Sequence, residues 1–189
     1  MAFTLHQLLT ETAARQPEHE AVRLLKRAAD PGELDRLSNQ VAHSLIANGV
    51  TRGDRVGIDL YKSPASIAAI FGIMKTGACY VPVDANAPGP RLEEIGRQCA
   101  FRALITSHEL YQKLSGSFHH ECPMNAIYFI DKAPEAALPL PALTFADNLP
   151  QQSSEDPAVP VIDNDLAYIL FTSGSTGVPQ GVMLSHLTR

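Results

Sequence analysis

An α/β fold of parallel βαβ units is predicted by three observations on this chain. Short apolar runs of four to six residues alternate with longer stretches whose apolar residues recur at helical spacing. Glycine, proline and hydroxyl residues punctuate the boundaries. The interval from one run to the next suits right-handed helical crossovers, which place helices on both faces of a sheet.

The elements follow in order. Leu5, Leu8, Leu9, Thr12 and Ala13 recur at helical spacing and predict a packing helix, and residues 20–25 read as a weak strand. Leu34, Leu37, Val41, Leu45 and Ile46 form an amphipathic stripe ended by Asn48-Gly49, a left-handed stop. Residues 55–60 alternate as a strand does, then Ser63-Pro64 supplies an N-cap followed by proline at the first helical position. Ile67, Ile70, Phe71 and Met74 are the expected buried face of that helix. Strands are expected at 80–83, 103–106 and 126–130, a helix at 90–99, and a short helix capped by Ser107. From 132 to 164 the composition shifts: six of the fourteen prolines fall there, and an extended, mobile connection is expected.

Composition narrows the function classes. The 189 residues are 45% hydrophobic and 19% charged, the make-up of a globular domain. A formal net charge of −5 with scattered basic residues gives no footprint for nucleic acid or an anionic membrane. No apolar run approaches the ~18–20 residues of a membrane span and no leader-like segment opens the chain, so a cytoplasmic location is expected. Cys79, Cys99 and Cys122 are odd in number and widely spaced, which suggests neither a disulfide framework nor a zinc site. His119, His120, Glu121 and Cys122 cluster, but adjacent residues point in different directions, so no metal site is assigned.

The chemistry concentrates near residue 172. Residues 166–171 (Leu-Ala-Tyr-Ile-Leu-Phe) read as a buried strand, followed by Thr172, Ser173, Gly174, Ser175, Thr176 and Gly177. Glycines let backbone N–H groups approach an oxyanion closely and hydroxyls add donors, so the string suits phosphate oxygens. It is no Walker A loop, because Gly174 and Gly177 are three apart and no lysine follows. Pro179 and Gly181 disfavour a helix, and Val182-Met183-Leu184 reads as a second strand, giving strand, loop, strand. An ordinary Ser/Gly turn has a similar composition.

The full string from Tyr168 through Phe-Thr-Ser-Gly-Ser-Thr-Gly to Pro179, Gly181 and Val182 resembles the phosphate-binding signature of adenylate-forming ligases, the group of acyl-CoA synthetases, luciferases and peptide-synthetase adenylation domains. Residues 74–84, Met-Lys-Thr-Gly-Ala-Cys-Tyr-Val-Pro-Val-Asp, are similar to the family's second core motif, and residues 32–42 to the helix after its first; both are packing elements. Ala-Cys-Tyr-Val-Pro-Val-Asp is closer to the peptide-synthetase branch than to the fatty acyl-CoA branch.

The resemblance implies a partial N-terminal domain of the adenylate-forming ligase fold: an α/β subdomain at 1–131, a Pro-rich connection at 132–164, and the strand–phosphate loop–strand opening of the next subdomain at 165–189. It implies ATP, with Mg2+, as the nucleotide. A carboxylic or amino acid would be activated to an acyl-adenylate and passed to coenzyme A or to the phosphopantetheine thiol of a carrier protein. Residues 172–177, with Gln180, would bind the β- and γ-phosphates, while the catalytic residues of the family belong to segments downstream, leaving none here. The chain alone is therefore expected to be inactive, and a non-catalytic partner docking on a complementary ligase half is the alternative. Two departures stand out. Gln180 occupies the position where the family usually has lysine, which weakens the grip on triphosphate. Residues 25–32 replace the usual turn and Leu-Thr-Tyr strand, which puts the edge hairpin there in question.

Overall fold

The computed structural model describes residues 4–24, 27–115, 118, 122–172 and 179–187. In chain order the elements are α1 (Leu5–Arg15), β1 (Val22–Leu24), β2 (Arg27–Ala29), α2 (Pro31–Ala47), β3 (Arg55–Asp59), α3 (Pro64–Lys75), β4 (Cys79–Val83), α4 (Gly89–Cys99), β5 (Ala103–Thr106), α5 (His108–Tyr111), β6 (Ala126–Phe129), β7 (Ala142–Thr144), α6 (Phe145–Asn148), a 3₁₀ turn (Leu149–Gln151), β8 (Leu166–Thr172) and β9 (Gln180–Ser185).

Local signals set the ends of the helices. The Asp30 carboxylate accepts from the Glu33 amide (2.7 Å) with Pro31 at the first helical position of α2. That helix stops at Gly49, whose φ of 80° is open to glycine, with Val50 N–H returning to the Leu45 carbonyl. In α3, Ser63 and Ser66 cap each other reciprocally.

Among the described residues, seven strands form one sheet in the order β7-β6-β5-β3-β4-β8-β9. Every pairing is parallel except the last, β8 with β9. Period-two alternation divides the strand side chains between two cores. Val56, Ile58, Ala103, Ile105 and Tyr128 meet Val41 and Leu45 of α2 and Ala69 and Ile73 of α3 on one face. Cys79, Val81, Val83 and Leu104 meet Leu92 and Ile95 of α4, with Phe101 and Phe118, on the other. This is the α/β arrangement with helices on both faces that the sequence predicts.

Four details differ from expectation. The edge hairpin forms: β1 pairs antiparallel with β2, Val22 opposite Ala29. Residues 132–164 are more than a connection, because β7 extends the sheet and Phe145 and Leu149 enter the first core. In α3 the fully buried positions are Ala68, Ala69 and Ile73, while Ile67, Ile70 and Phe71 are half-buried. The reason is Gly72: a Cβ there would lie 2.7 Å from Val41 Cβ and 2.8 Å from the Ser38 carbonyl, so α2 approaches along the small-residue stripe. In α1 it is His6 and Leu9 that are buried, and Leu8 is 54% exposed.

One buried cation ties three helices together. Lys75 Nζ, at the end of α3, donates to Asp35 Oδ1 (2.7 Å) and Asn39 Oδ1 (2.5 Å) of α2. Asp35 also accepts from Thr10 of α1, and Asn39 donates to the Ser154 carbonyl. A buried ammonium persists only where charge and donors are answered in this way.

Candidate functional site

Because β8 runs parallel to β4, its carboxyl end emerges on the same edge of the sheet as the carboxyl ends of β3, β4 and β5. That edge is where open α/β sheets bind ligands, in the crevice left where successive crossovers run in opposite directions, as they do here on either side of β3. The stacked rings of Tyr80 and Tyr168, 5.3 Å apart, fix the root of β8 on β4. Beyond it β8 and β9 form an antiparallel stem that closes with Thr172 opposite Gln180.

Of the residues assigned from sequence, the structure places Thr172 and Gln180 as facing partners at the tip of this stem, both exposed. Ser173, Gly174, Ser175, Thr176 and Gly177 lie outside the described residues. The strand–loop–strand reading therefore holds at both stems. Gly181 has a packing reason: a Cβ would come within 2.9 Å of Ile169 Cγ2 and 3.0 Å of the Phe171 ring.

Sequence reasoning missed Arg91. It lies in the first turn of α4, and its Nη2 donates to the Thr172 carbonyl at 3.4 Å. Arg91, Asp84, Val83, Ala87 and Phe171 line a cavity of about 250 Å³ at the foot of the stem. A charged residue early in an amphipathic helix looks solvent-facing on paper; only the parallel β4–β8 pairing brings it to a strand end eighty-one positions later.

The edge also holds a buried acid. Asp59, at the carboxyl end of β3, is 5% exposed, and burial pushes its carboxyl up to about 6, against the opposing pull of Lys113 and the Thr106 hydroxyl. Lys113 itself donates to the Ala85 carbonyl at 2.8 Å. Around the stem the described groups are thus a hydroxyl, a carboxamide and a guanidinium, all donors suited to an anion. None is a base poised on a nucleophile. In the cavity beside Arg91 the carboxylate is Asp84, short of the oxygen set a magnesium ion takes. Among the described residues no group of three or more His, Cys, Asp or Glu could hold a metal ion. Cys122 is buried, and the rest of its sequence cluster, residues 119–121, is outside the described residues.

Comparison with known proteins gives the family and the fold. A family model described as AMP-binding enzyme matches residues 9–188. Phosphinothricin tripeptide synthetase PhsC of Streptomyces viridochromogenes is 37% identical over 183 residues, covering 97% of this chain and 15% of that protein. Syringomycin synthase SyrB1 of Pseudomonas syringae pv. syringae is 35% identical over 182 residues, 96% of this chain and 26% of SyrB1. The chain thus spans about a quarter or less of these relatives. Among solved structures, the anthranilate CoA ligase AuaEII in complex with anthranoyl-AMP shares the fold with a TM-score of 0.88 at 24% identity, over 98% of this chain and 36% of that one. The N-terminal subdomain of Klebsiella oxytoca NpsA matches with a TM-score of 0.73 at 25% identity, over 97% and 42%.

Proposed function

The chain belongs to the AMP-binding enzyme family, and from that premise we propose that it is the N-terminal, phosphate-gripping part of an AMP-forming acid ligase. Such an enzyme activates a carboxylic or amino acid with ATP to an acyl-adenylate and passes the acyl group to a carrier-protein or coenzyme A thiol. The observation that carries the reading is the β8–β9 stem, whose facing ends Thr172 and Gln180 stand at the carboxyl edge of the parallel sheet and flank, in sequence, the Ser173-Gly174-Ser175-Thr176-Gly177 string. The likeness to PhsC and SyrB1 supports an amino acid and a carrier protein over a fatty acid and coenzyme A.

The physical task is charge. A carboxylate attacking the α-phosphorus of ATP meets a polyanion, and pyrophosphate leaves only if its developing charge is held. The hydroxyls and N–H groups of residues 172–177 would take β- and γ-phosphate oxygens, with the Gln180 carboxamide beside them. Arg91 would supply the positive charge that Gln180 does not. When bound, Mg2+ would share the triphosphate charge, held by ligands from beyond the described residues. A cytoplasmic location fits these substrates; among the described residues no helix is long and apolar enough to cross a membrane.

The alternative, a non-catalytic partner docking on a complementary ligase half, draws on Leu170, Val182 and Met183, which leave β8 and β9 43%, 50% and 68% exposed at the open edge of the sheet. Acid-dependent exchange of labelled pyrophosphate into ATP, run across amino, aryl and fatty acids on this chain fused to the downstream segments of a family ligase because the chain alone is expected to be inactive, tests the first reading. Exchange with one acid class that is lost in Gly174→Ala/Gly177→Ala supports it, whereas exchange indifferent to that double variant removes the loop from the chemistry. Exchange seen only after adding a separate ligase half would favour the alternative.

A further inference from the structure

The first amide groups of a helix have no acceptor within it. In α1 the leading amide, Leu5 N–H, finds one 181 residues away, donating to Nδ1 of His186 at 3.1 Å just beyond β9. His186 is 6% exposed and lies edge-to-face against the ring of His6, in the first turn of α1, with ring centroids 5.7 Å apart. An imidazole that accepts an amide N–H through Nδ1 carries its proton on Nε2 and is neutral. A proton on Nδ1 would set donor against donor. It would also put positive charge at the positive end of the α1 dipole, where the first turn holds no acidic residue.

The surroundings discourage that charge further. Lys75 of α3 is a cation acting on His6, and it is answered by Asp35 and Asn39 of α2. Asp156, on the segment after the 3₁₀ turn, draws His6 the other way but already accepts from the Ala158 amide (2.7 Å). Asp165, ahead of β8, draws on His186 but is engaged by Arg52 (2.7 Å). Glu11 of α1 lines the same cleft as His6 and Asp156. Burial, His186 and Lys75 bring His6 down to about 4, and burial lowers His186. Among the described residues, Nδ1 of His6 and Nε2 of His186 are buried without hydrogen-bond partners, so the contact is held at a cost.

We propose that His6 and His186 form a clasp of neutral imidazoles fastening the N-terminus of α1 to the end of β9, and that acid opens it, freeing α1 while the parallel sheet stays folded. A proton arriving on Nδ1 of His186 takes the lone pair that holds Leu5 N–H, and the bond is lost. The inference concerns the fold's own response to pH and is independent of the proposed ligase activity.

Site-resolved amide exchange on the 189-residue chain tests it, compared between neutral pH and about pH 4 after correction for intrinsic rates. The protection of Leu5 and the following α1 amides is expected to fall about tenfold or more relative to α2 and β5. His186→Asn, whose Oδ1 can accept the same bond without titrating, should keep α1 protected at both pH values. His186→Ala should leave it unprotected at both. Constant α1 protection in the wild type, or acid opening of His186→Asn as large as that of the wild type, would overturn the clasp. Should the Asn variant not fold, the wild-type imidazole proton shifts decide: a His186 midpoint below 6.5 agrees, and one at or above 6.5 does not.

Discussion

The central strands and the β8–β9 hairpin belong to one sheet but are held by different means. Every residue of β5 and β6, and all of β3 but Arg55, is buried between helices, whereas four of the six β9 residues are exposed and β8 alternates only near its root. The inner strands derive their stability from apolar burial on both faces. The hairpin pairs with the platform at one register position, Tyr80 with Tyr168, and packs Ile169, Leu166 and Phe171 of β8 against the second core, while most of β9 faces outward. A binding loop is served by this division, because a stem whose outer strand contributes little to the core can present donors without the core resisting that strand's movement. Substitutions should then separate into those that cost stability and those that change binding.

The largest loss is expected at Lys75. Its removal in Lys75→Ala strands Asp35 and Asn39 and unties α1, α2 and α3, a change that costs about 3–5 kcal/mol in comparable buried pairs. For a chain of this size that lowers the melting temperature by roughly 10 °C. A melt within a degree of wild type would show that the helices are held by apolar packing alone.

A matched pair of glycine substitutions sharpens the comparison. At Gly57 in β3 a Cβ would collide with the Phe101 ring, which is fully buried and has nowhere to go, so Gly57→Ala should lose about 1–3 kcal/mol in urea unfolding. At Gly181 in β9 the overlaps, 2.9 Å to Ile169 Cγ2 and 3.0 Å to the half-buried Phe171 ring, are smaller than that with the Phe101 ring at Gly57, so Gly181→Ala should cost distinctly less. Equal losses would mean that the hairpin is as rigid as the sheet centre.

Acid provides a third contrast. Asp59 titrates at about 6 in the folded chain and 3.8 unfolded, so the folded state binds the extra proton and stability falls as pH rises from about 4 to 6. His6 titrates at about 4 folded and 6.5 unfolded, so its contribution has the opposite sign and is lost as pH falls through the same range. Urea unfolding across this window should show Asp59→Asn removing the first slope and His6→Gln the second. A single variant abolishing both would contradict their independence.

How far the fold could be read in advance follows from where the information sits. Strands 103–106 and 126–130 and the Ser63-Pro64 start depend on composition and local caps, and they appear within a residue of expectation. The stems of the candidate loop were legible for the same reason, since an apolar run, a glycine-rich break and a second run need no partner to be recognised. What was not legible depends on partners distant in sequence. Periodicity marked Ile67, Ile70 and Phe71 as the buried face of α3 but carried no sign that α2 would close on Gly72. Prolines hid the burial of Phe145 and Leu149, and Arg91 acquires meaning only once β8 lies beside β4.

The smallest expected change in stability, and the one most specific to the hairpin, is at Gln180. Gln180→Lys places a cation at an exposed stem position opposite Thr172, where surface substitutions usually fall within about ±0.5 kcal/mol of wild type. If the loop grips triphosphate as proposed, the same change converts a neutral donor into a charge-assisted one, worth about 1–2 kcal/mol, or roughly 5- to 30-fold tighter binding of pyrophosphate or ATP by calorimetry. Arg91→Ala should move affinity the other way, with both effects shrinking as salt is raised. Unaltered affinity in both variants would place the phosphate elsewhere on the carboxyl edge. A melting shift of several degrees in Gln180→Lys would instead break the comparison itself, showing the stem to be part of what holds the sheet together.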